Sequence, residues 1–317
     1  MTSSKDIAAF DSYVDNIREA TVLFIRTGPS RAKWGVEWYQ FGRINVQLGA
    51  DGGPRVVHGV SRNDAVTFMF HAAKTPNQVF FDGYALTWQD MCVLSPGAHF
   101  TFASKTSARW FALTIPTGLV KDPDHLREQG VSFGNRNVAI TLTEETAMKL
   151  MATAKRARDG AKMNGDKKQP IDVATIESTL LSALNESLMP QKSKLRLPDR
   201  NQVSLEARIS KALEYIRSRH SENIHVEEIA KAAGVSSRGL QRSFQTFLRM
   251  APKEYLKFRQ LNLARRGLRL DPSTNGPKNH VTRILANYGV SEFGRFATEY
   301  HRLFHELPSQ TFSARRR

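Results

Sequence analysis

The chain has 317 residues, enough for two ordinary domains, and its 40% hydrophobic and 9% aromatic content is that of a globular protein. No apolar run reaches the ~18–20 residues that span a bilayer and no secretory core opens the sequence, so no membrane contact is expected. The single cysteine, Cys92, leaves no disulfide framework and no thiolate zinc site, which fits a reducing cytoplasm, and the net charge of +16 points to a polyanionic partner.

Residues 36–116 read as strands. Apolar alternation runs through Ala65–His71, Asn77–Phe81, Ala98–Ser104 and Arg109–Ile115, and the segments are separated by Gly52-Gly53-Pro54, Asp82-Gly83 and Pro96-Gly97. Short strands at this spacing predict a β-barrel or sandwich. His58, His71 and His99 fall on separate segments, so a convergent metal site is not expected. Cys92 lies inside the apolar run MCVL without clustered cysteines and reads as core. No catalytic residue, cofactor or metal ligand is assigned, and the protein is not expected to be an enzyme.

The period then changes. Thr143–Arg158 reads as a helix, Asp159–Pro170 as a polar loop, and Ile171–Met189 as a second helix with Val173, Ile176, Leu180 and Leu184 in one stripe. Leu181 and Leu188 widen that stripe, so the helix either packs on the barrel or pairs with a second copy in a homodimer. Gln191–Pro198 is basic and ends in proline. These breaks divide the chain into an N-terminal domain (1–190), a linker (191–203) and a helical C-terminal domain (204–317). From Arg200 onward there are 22 Lys+Arg and 10 Asp+Glu, a net of +12, so most of the excess charge sits in the last third.

That third contains an internal repeat. His225–Ser236 (HVEEIAKAAGVS) aligns without gaps on His280–Ser291 (HVTRILANYGVS) with six identities at an offset of 55. Past the serine the offset is 56, placing Leu240, Phe244, Phe247 and Leu248 on Phe296, Tyr300, Leu303 and Phe304. Each copy has a short helix, a glycine suited to positive φ, a valine plug and a second helix with apolar residues at i, i+4 and i+7/8. This is the pattern of a helix-turn-helix, predicted at 226–248 and 281–304, whose second helix enters the major groove. The first copy presents Ser237, Arg238, Gln241, Arg242, Gln245 and Arg249, suited to guanine and adenine edges. The second presents Gly294, Arg295, Thr298, His301 and Arg302, a poorer set that suggests backbone contact with Arg295 as its one base reader. Pro252–Leu270 reads as a long helix joining the two.

These motifs resemble the AraC/XylS family of bacterial transcription regulators, in particular its XylS-like members. The matching segments are IAKAAGVSSRGLQRSF (229–244), APKEYL (251–256) with LNLARRGL (261–268), and YGVSEFGRFATEYHRLFHELPSQTF (288–312) with its PSxT ending. The sequence differs from the family at Leu285, where a small residue is preferred, and at His305, where glycine is usual. It also has Gln260-Leu261 in place of Arg-Leu, and Thr298 at a frequent Arg position.

The resemblance implies a two-domain α+β protein. A cupin-like effector and dimerisation domain, the barrel with two following helices, would precede an all-α domain of two helix-turn-helix units that reads double-stranded promoter DNA. It further implies contact with RNA polymerase, usually activating, and nucleoid-associated work in a bacterial cytoplasm. An effector would sit inside the barrel, lined by Phe68, Phe70, Trp88, Phe100, Phe102 and Trp110, with His99 and Arg109 meeting its polar group. The competing reading of these aromatics is ordinary strand core. Two rival functions are an architectural DNA-binding protein without an effector and a barrel enzyme tethered to DNA.

Overall fold

Alternating side chains on antiparallel strands fix the N-terminal layers. The computed structural model describes residues 10–314 apart from 31, 72–77, 121–123, 125–131, 134–135, 168–171, 197–199, 220–223 and 272–276. In chain order the elements begin with α1 (Phe10–Asp15), β1 (Ala20–Arg26), β2 (Gly35–Phe41), β3 (Ile44–Asp51), β4 (Arg55–Ser61) and β5 (Ala65–His71). They continue with β6 (Val79–Phe81), β7 (Tyr84–Ala85), β8 (Asp90–Leu94), β9 (His99–Ser104), β10 (Ala108–Pro116) and β11 (Val138–Leu142). One sheet has the order β1-β4-β9-β6-β7 and the other β12-β11-β8-β5-β10-β3-β2, with β12 at Ser193–Arg196. The turn residues sit where the sequence puts them. Asp82 and Gly83 both take positive φ (45° and 85°) between β6 and β7, the requirement of a tight type I′ hairpin, and Gly97 (67°) turns β8 into β9.

The seven-stranded sheet is apolar on one face. Tyr39, Val46, Phe68 and Leu113 are buried there beneath α2 (Glu144–Lys167) and α3 (Val173–Ser187), which contribute Ala147, Leu150, Leu180 and Leu184. The opposite face carries buried polar side chains, among them Gln47, Thr67, His71 and Thr114, with Thr67 Oγ1 and Thr114 Oγ1 3.0 Å apart. That polar face hides β3 and β4 from sequence reading, because inward alternation there does not mean apolar alternation.

Two boundaries differ from expectation. The helix read as ending at Arg158 runs on to Lys167, through most of the polar segment expected to be a loop; residues 168–170 of that segment lie outside the described residues. The basic linker is not free chain throughout: Ser193–Arg196 pairs with β11 in antiparallel register (Ala139 with Arg196, Leu142 with Ser193). Arg196 donates to the Ala85 carbonyl (3.0 Å) and to Asp90 (3.1 Å), whose carboxylate is buried and needs that cation. Residues 197–199 of the linker lie outside the described residues.

By contacts the chain divides into two units. One holds the described residues of 1–23, 32–52 and 58–198, and the other those of 24–31, 53–57 and 199–317. The second unit is helical after α4 (Arg200–Ser218): α5 (Val226–Ala232), α6 (Ser237–Phe247), α7 (Pro252–Leu270), α8 (Pro277–Asn287), α9 (Phe293–Phe304) and α10 (Pro308–Ala314). It thus draws two short segments from before residue 60 that a cut at residue 190 assigns elsewhere. Asn262 of α7 holds one of them: its amide donates to the Arg26 carbonyl (2.9 Å) and its Oδ1 accepts from the Arg26 N–H (3.0 Å).

Candidate nucleic-acid interface

The first helix-turn-helix is built by local hydrogen bonds that the sequence dictates. At its start the His225 N–H donates to the Glu228 carboxylate (3.0 Å), a capping-box bond. At the end of α5, Gly234 takes φ +68°. Its N–H donates to the Lys231 carbonyl (3.1 Å) and the Val235 N–H to the Ala230 carbonyl (2.9 Å), closing a Schellman turn. Ser236 then caps α6, its Oγ accepting from the Gly239 N–H (3.1 Å). Leu240, Ser243, Phe244 and Phe247 are buried, with Phe244 packed edge-on against Tyr255 (5.6 Å). Burial of that face leaves Ser237, Arg238, Gln241, Arg242 and Gln245 exposed on the other. Neither Arg238 nor Arg242 has an ion pair among the described residues, so both guanidinium groups are available to an incoming anion.

Arg249 does not belong to this face. It follows the end of α6 in a left-handed conformation (φ 58°), is half-buried, and burial lowers its pKa. The helix ends at Phe247, one turn before the position that would have aimed Arg249 with the others.

The second copy repeats the turn. Gly289 takes φ +73°, its N–H donates to the Ala286 carbonyl (2.9 Å), and the Val290 N–H donates to the Leu285 carbonyl (3.2 Å). The change of offset from 55 to 56 is one extra turn residue: α6 starts directly after Ser236, whereas Glu292 stands between Ser291 and α9. Glu292 occupies the N-cap position without a side-chain capping bond and instead lies 3.5 Å from Arg295. Thr298 donates its hydroxyl back to the Gly294 carbonyl (3.1 Å), and Gly294 is exposed with open space around it. Arg302 is exposed and has no ion pair among the described residues. Of the second set, one arginine is engaged by a neighbouring acid and one is not.

Comparison with known proteins agrees with this architecture. Residues 229–314 match the family model described as a helix-turn-helix domain. The XylDLEGF operon transcriptional activator of Pseudomonas putida is 36% identical over 101 residues, 32% of this chain and 30% of its own length, so the match spans under a third of either protein. The chain carries an AraC/XylS-type DNA-binding domain. A crystal structure of a transcriptional regulator with an AraC-type DNA-binding domain from Chromobacterium violaceum has 25% identity over 34% of this chain and 91% of its own (TM-score 0.31). That of the AraC-like transcriptional activator CuxR has 14% identity over 82% of this chain and 93% of its own (TM-score 0.42).

In the AraC/XylS-type domain α7 does more than connect. Buried Arg259 donates to the carbonyls of Ile216 (3.0 Å) and Arg219 (3.3 Å), satisfying the C-terminal end of α4, and burial lowers its pKa. Gln260 donates to the Tyr288 carbonyl (2.9 Å) at the second turn, the position where the family has arginine. The tail motif is explained by Thr311. Buried, it donates to Glu306 (2.6 Å) and lies 2.8 Å from the Tyr300 hydroxyl, and Arg265 of α7 donates to the same Glu306. Burial is the main reason that the Tyr300 phenol is pushed up to about 12. Leu285 is buried beside Leu261, Ile284 and Val290, so the larger side chain is taken into the core of the second copy. These positions are structural, and only Thr311 and the arginine–leucine site were visible as motifs.

The eight residues expected to line an effector pocket do not converge. Phe68 is buried in the core under α2, and Trp88 is half-buried against the same core. Phe100 and Phe102 pack on each other (5.7 Å), Phe102 also on Phe81 (4.9 Å) and His71 (5.1 Å), and His99 is exposed. Phe70, Arg109 and Trp110 border a cavity of about 400 Å³ outside the sandwich, between the seven-stranded sheet and α2. The Trp110 indole turns to the opposite face, donating to Tyr13 (3.0 Å) and Asp51 (3.2 Å). Cys92 is buried and burial raises its pKa, which leaves it a poor thiolate. Among the described residues no three His, Cys, Asp or Glu are grouped to hold a metal ion, and no helix is long and apolar enough to cross a membrane.

Proposed function

We propose that the protein is a sequence-specific transcription regulator that binds double-stranded promoter DNA and responds to a small molecule held by its N-terminal unit. The observation that carries the reading is the duplicated turn with matching hydrogen bonds, followed in each copy by a helix whose outward face is polar and basic. Ser237, Arg238, Gln241, Arg242 and Gln245 of α6 read bases, while Arg302, with Gly294, Arg295 and Thr298, holds the backbone at the second contact. Two such helices joined by one rigid helix suit successive major grooves, roughly 34 Å apart on one DNA face. Activation through RNA polymerase is the outcome the resemblance favours. We do not extend the reading to a homodimer through the 171–189 helix, because Leu180, Leu184 and Leu188 pack into the core and the outward positions Thr175, Ser178, Thr179 and Ser182 are polar.

Genome-wide mapping of bound sites, followed by binding to one recovered fragment and to random duplex at physiological salt, tests this reading. A preference of about 10³-fold or more for the recovered fragment is expected. Equal affinity for both would refute sequence-specific regulation.

A further inference from the structure

We propose that the cavity between the seven-stranded sheet and α2 binds an amphipathic organic anion, a carboxylate on an apolar body. This inference rests on the reading of the N-terminal unit as effector-binding and assigns that role a place and a ligand class.

The cavity arises from a graded change of side chains across the sheet. Antiparallel register lines up Tyr39, Val46, Leu113 and Phe68 in one row, and all four are buried beneath the helices. The next row is Glu37, Leu48, Phe111 and Phe70. The last row is Gly35, Ala50 and Arg109, where the apolar volume ends and a Cβ added at Gly35 would meet nothing within 4 Å. Above these rows α2 presents Met151, Ala154, Lys155 and Arg158, spaced i, i+3, i+4 and i+7 and therefore on one helical face. The result is about 400 Å³ of space, within the range of small-molecule sites.

Its chemistry is divided. Leu48, Phe70, Phe111 and Met151 give apolar walls, and Arg109 and Lys155 stand at the rim, each exposed and without an ion pair among the described residues. The other charges at the rim are balanced by neighbours: Glu37 by Lys162 (2.7 Å) and Arg158 by Asp159 (2.6 Å). Two uncompensated cations therefore remain above an apolar floor. A neutral hydrocarbon would leave them unsatisfied, and a small inorganic anion would leave the floor wet. A carboxylate with an aliphatic or aromatic body satisfies both.

The test is calorimetric titration of the full-length protein, free of DNA, with octanoate and 4-phenylbutyrate, and with octanol and octanamide as neutral controls. Both anions should bind and raise the melting temperature, with the neutral probes weaker by about ten-fold or more. The double variant R109Q/K155Q should lose anion affinity by about ten-fold, and Gly35→Val, which fills open space, should block all probes while the circular dichroism spectrum stays unchanged. Equal binding of anions and neutral probes, binding indifferent to these substitutions, or no binding at millimolar concentration would overturn the proposal. Promoter affinity measured on the same preparations separates the outcomes: retained DNA binding without anion binding removes this site and leaves the regulator reading standing.

Discussion

At the scale of single residues, two arginines that look alike in sequence differ in what surrounds them. Arg238 and Arg242 are exposed and unpaired, on a helix whose N-terminus is capped by Ser236. Arg238→Ala or Arg242→Ala should cost about 1–3 kcal/mol on the specific site and relax base preference at one position, whereas Arg302→Ala should weaken all sequences alike. Competition binding against single-base operator variants distinguishes the two patterns; a uniform loss from every substitution would remove the division into reading and anchoring. Arg295 is restrained by Glu292 at 3.5 Å. Glu292→Gln should free it and remove a negative charge near the phosphates, tightening DNA binding by roughly 2–5-fold at low salt. An unchanged affinity would mean that Arg295 does not reach DNA. Arg238, Gln241 and Arg242 were legible because groove readers must be polar on an otherwise amphipathic helix. The restraint on Arg295 was not, since an i, i+3 pair depends on where the helix begins, and the extra turn residue decides that.

At the scale of elements, long helices and glycine turns were readable and polar-faced strands were not. Pro252–Leu270 was read to the residue because a proline opens it and its apolar stripe is regular. β3 and β4 escaped because their inward residues include Asn45, Gln47, Arg55 and His58, all buried. β12 escaped because a basic strand at a sheet edge reads as linker until Asp90 is found beside Arg196. The helix termini carry the sharpest expectations. His305 ends α9 with φ 60°, a left-handed conformation costly for any residue but glycine. His305→Gly should stabilise the protein by about 0.5–1 kcal/mol, after allowance for the greater freedom of glycine in the unfolded chain. Arg259→Leu removes both hydrogen bonds from the end of α4 and should destabilise it by about 2–3 kcal/mol. Urea denaturation measures both; a stabilising Arg259→Leu would show that the guanidinium merely tolerates its burial.

At the scale of the whole molecule, charge rather than shape is the property that sequence shows most plainly. The 22 basic and 10 acidic residues from Arg200 onward stand against a nearly balanced remainder, so polyanion attraction is concentrated in one unit. Two exposed, unpaired arginines on α6 and one on α9 are only part of that excess; Lys231, Lys253 and Arg266 are also exposed without an ion pair among the described residues. If these groups neutralise about six phosphates, counterion release sets the slope of log K against log salt near −5 on B-DNA. Titrating a bound fragment between roughly 50 and 200 mM salt should therefore lower affinity by about 10³-fold. Arg302→Ala should flatten the slope by about one unit, while R109Q/K155Q, which removes two cations from the other unit, should leave it unchanged. A slope that responded equally to both changes would mean that DNA feels the net charge of the protein rather than a built surface. Specific recognition by α6 would then have to come from contacts other than these cations.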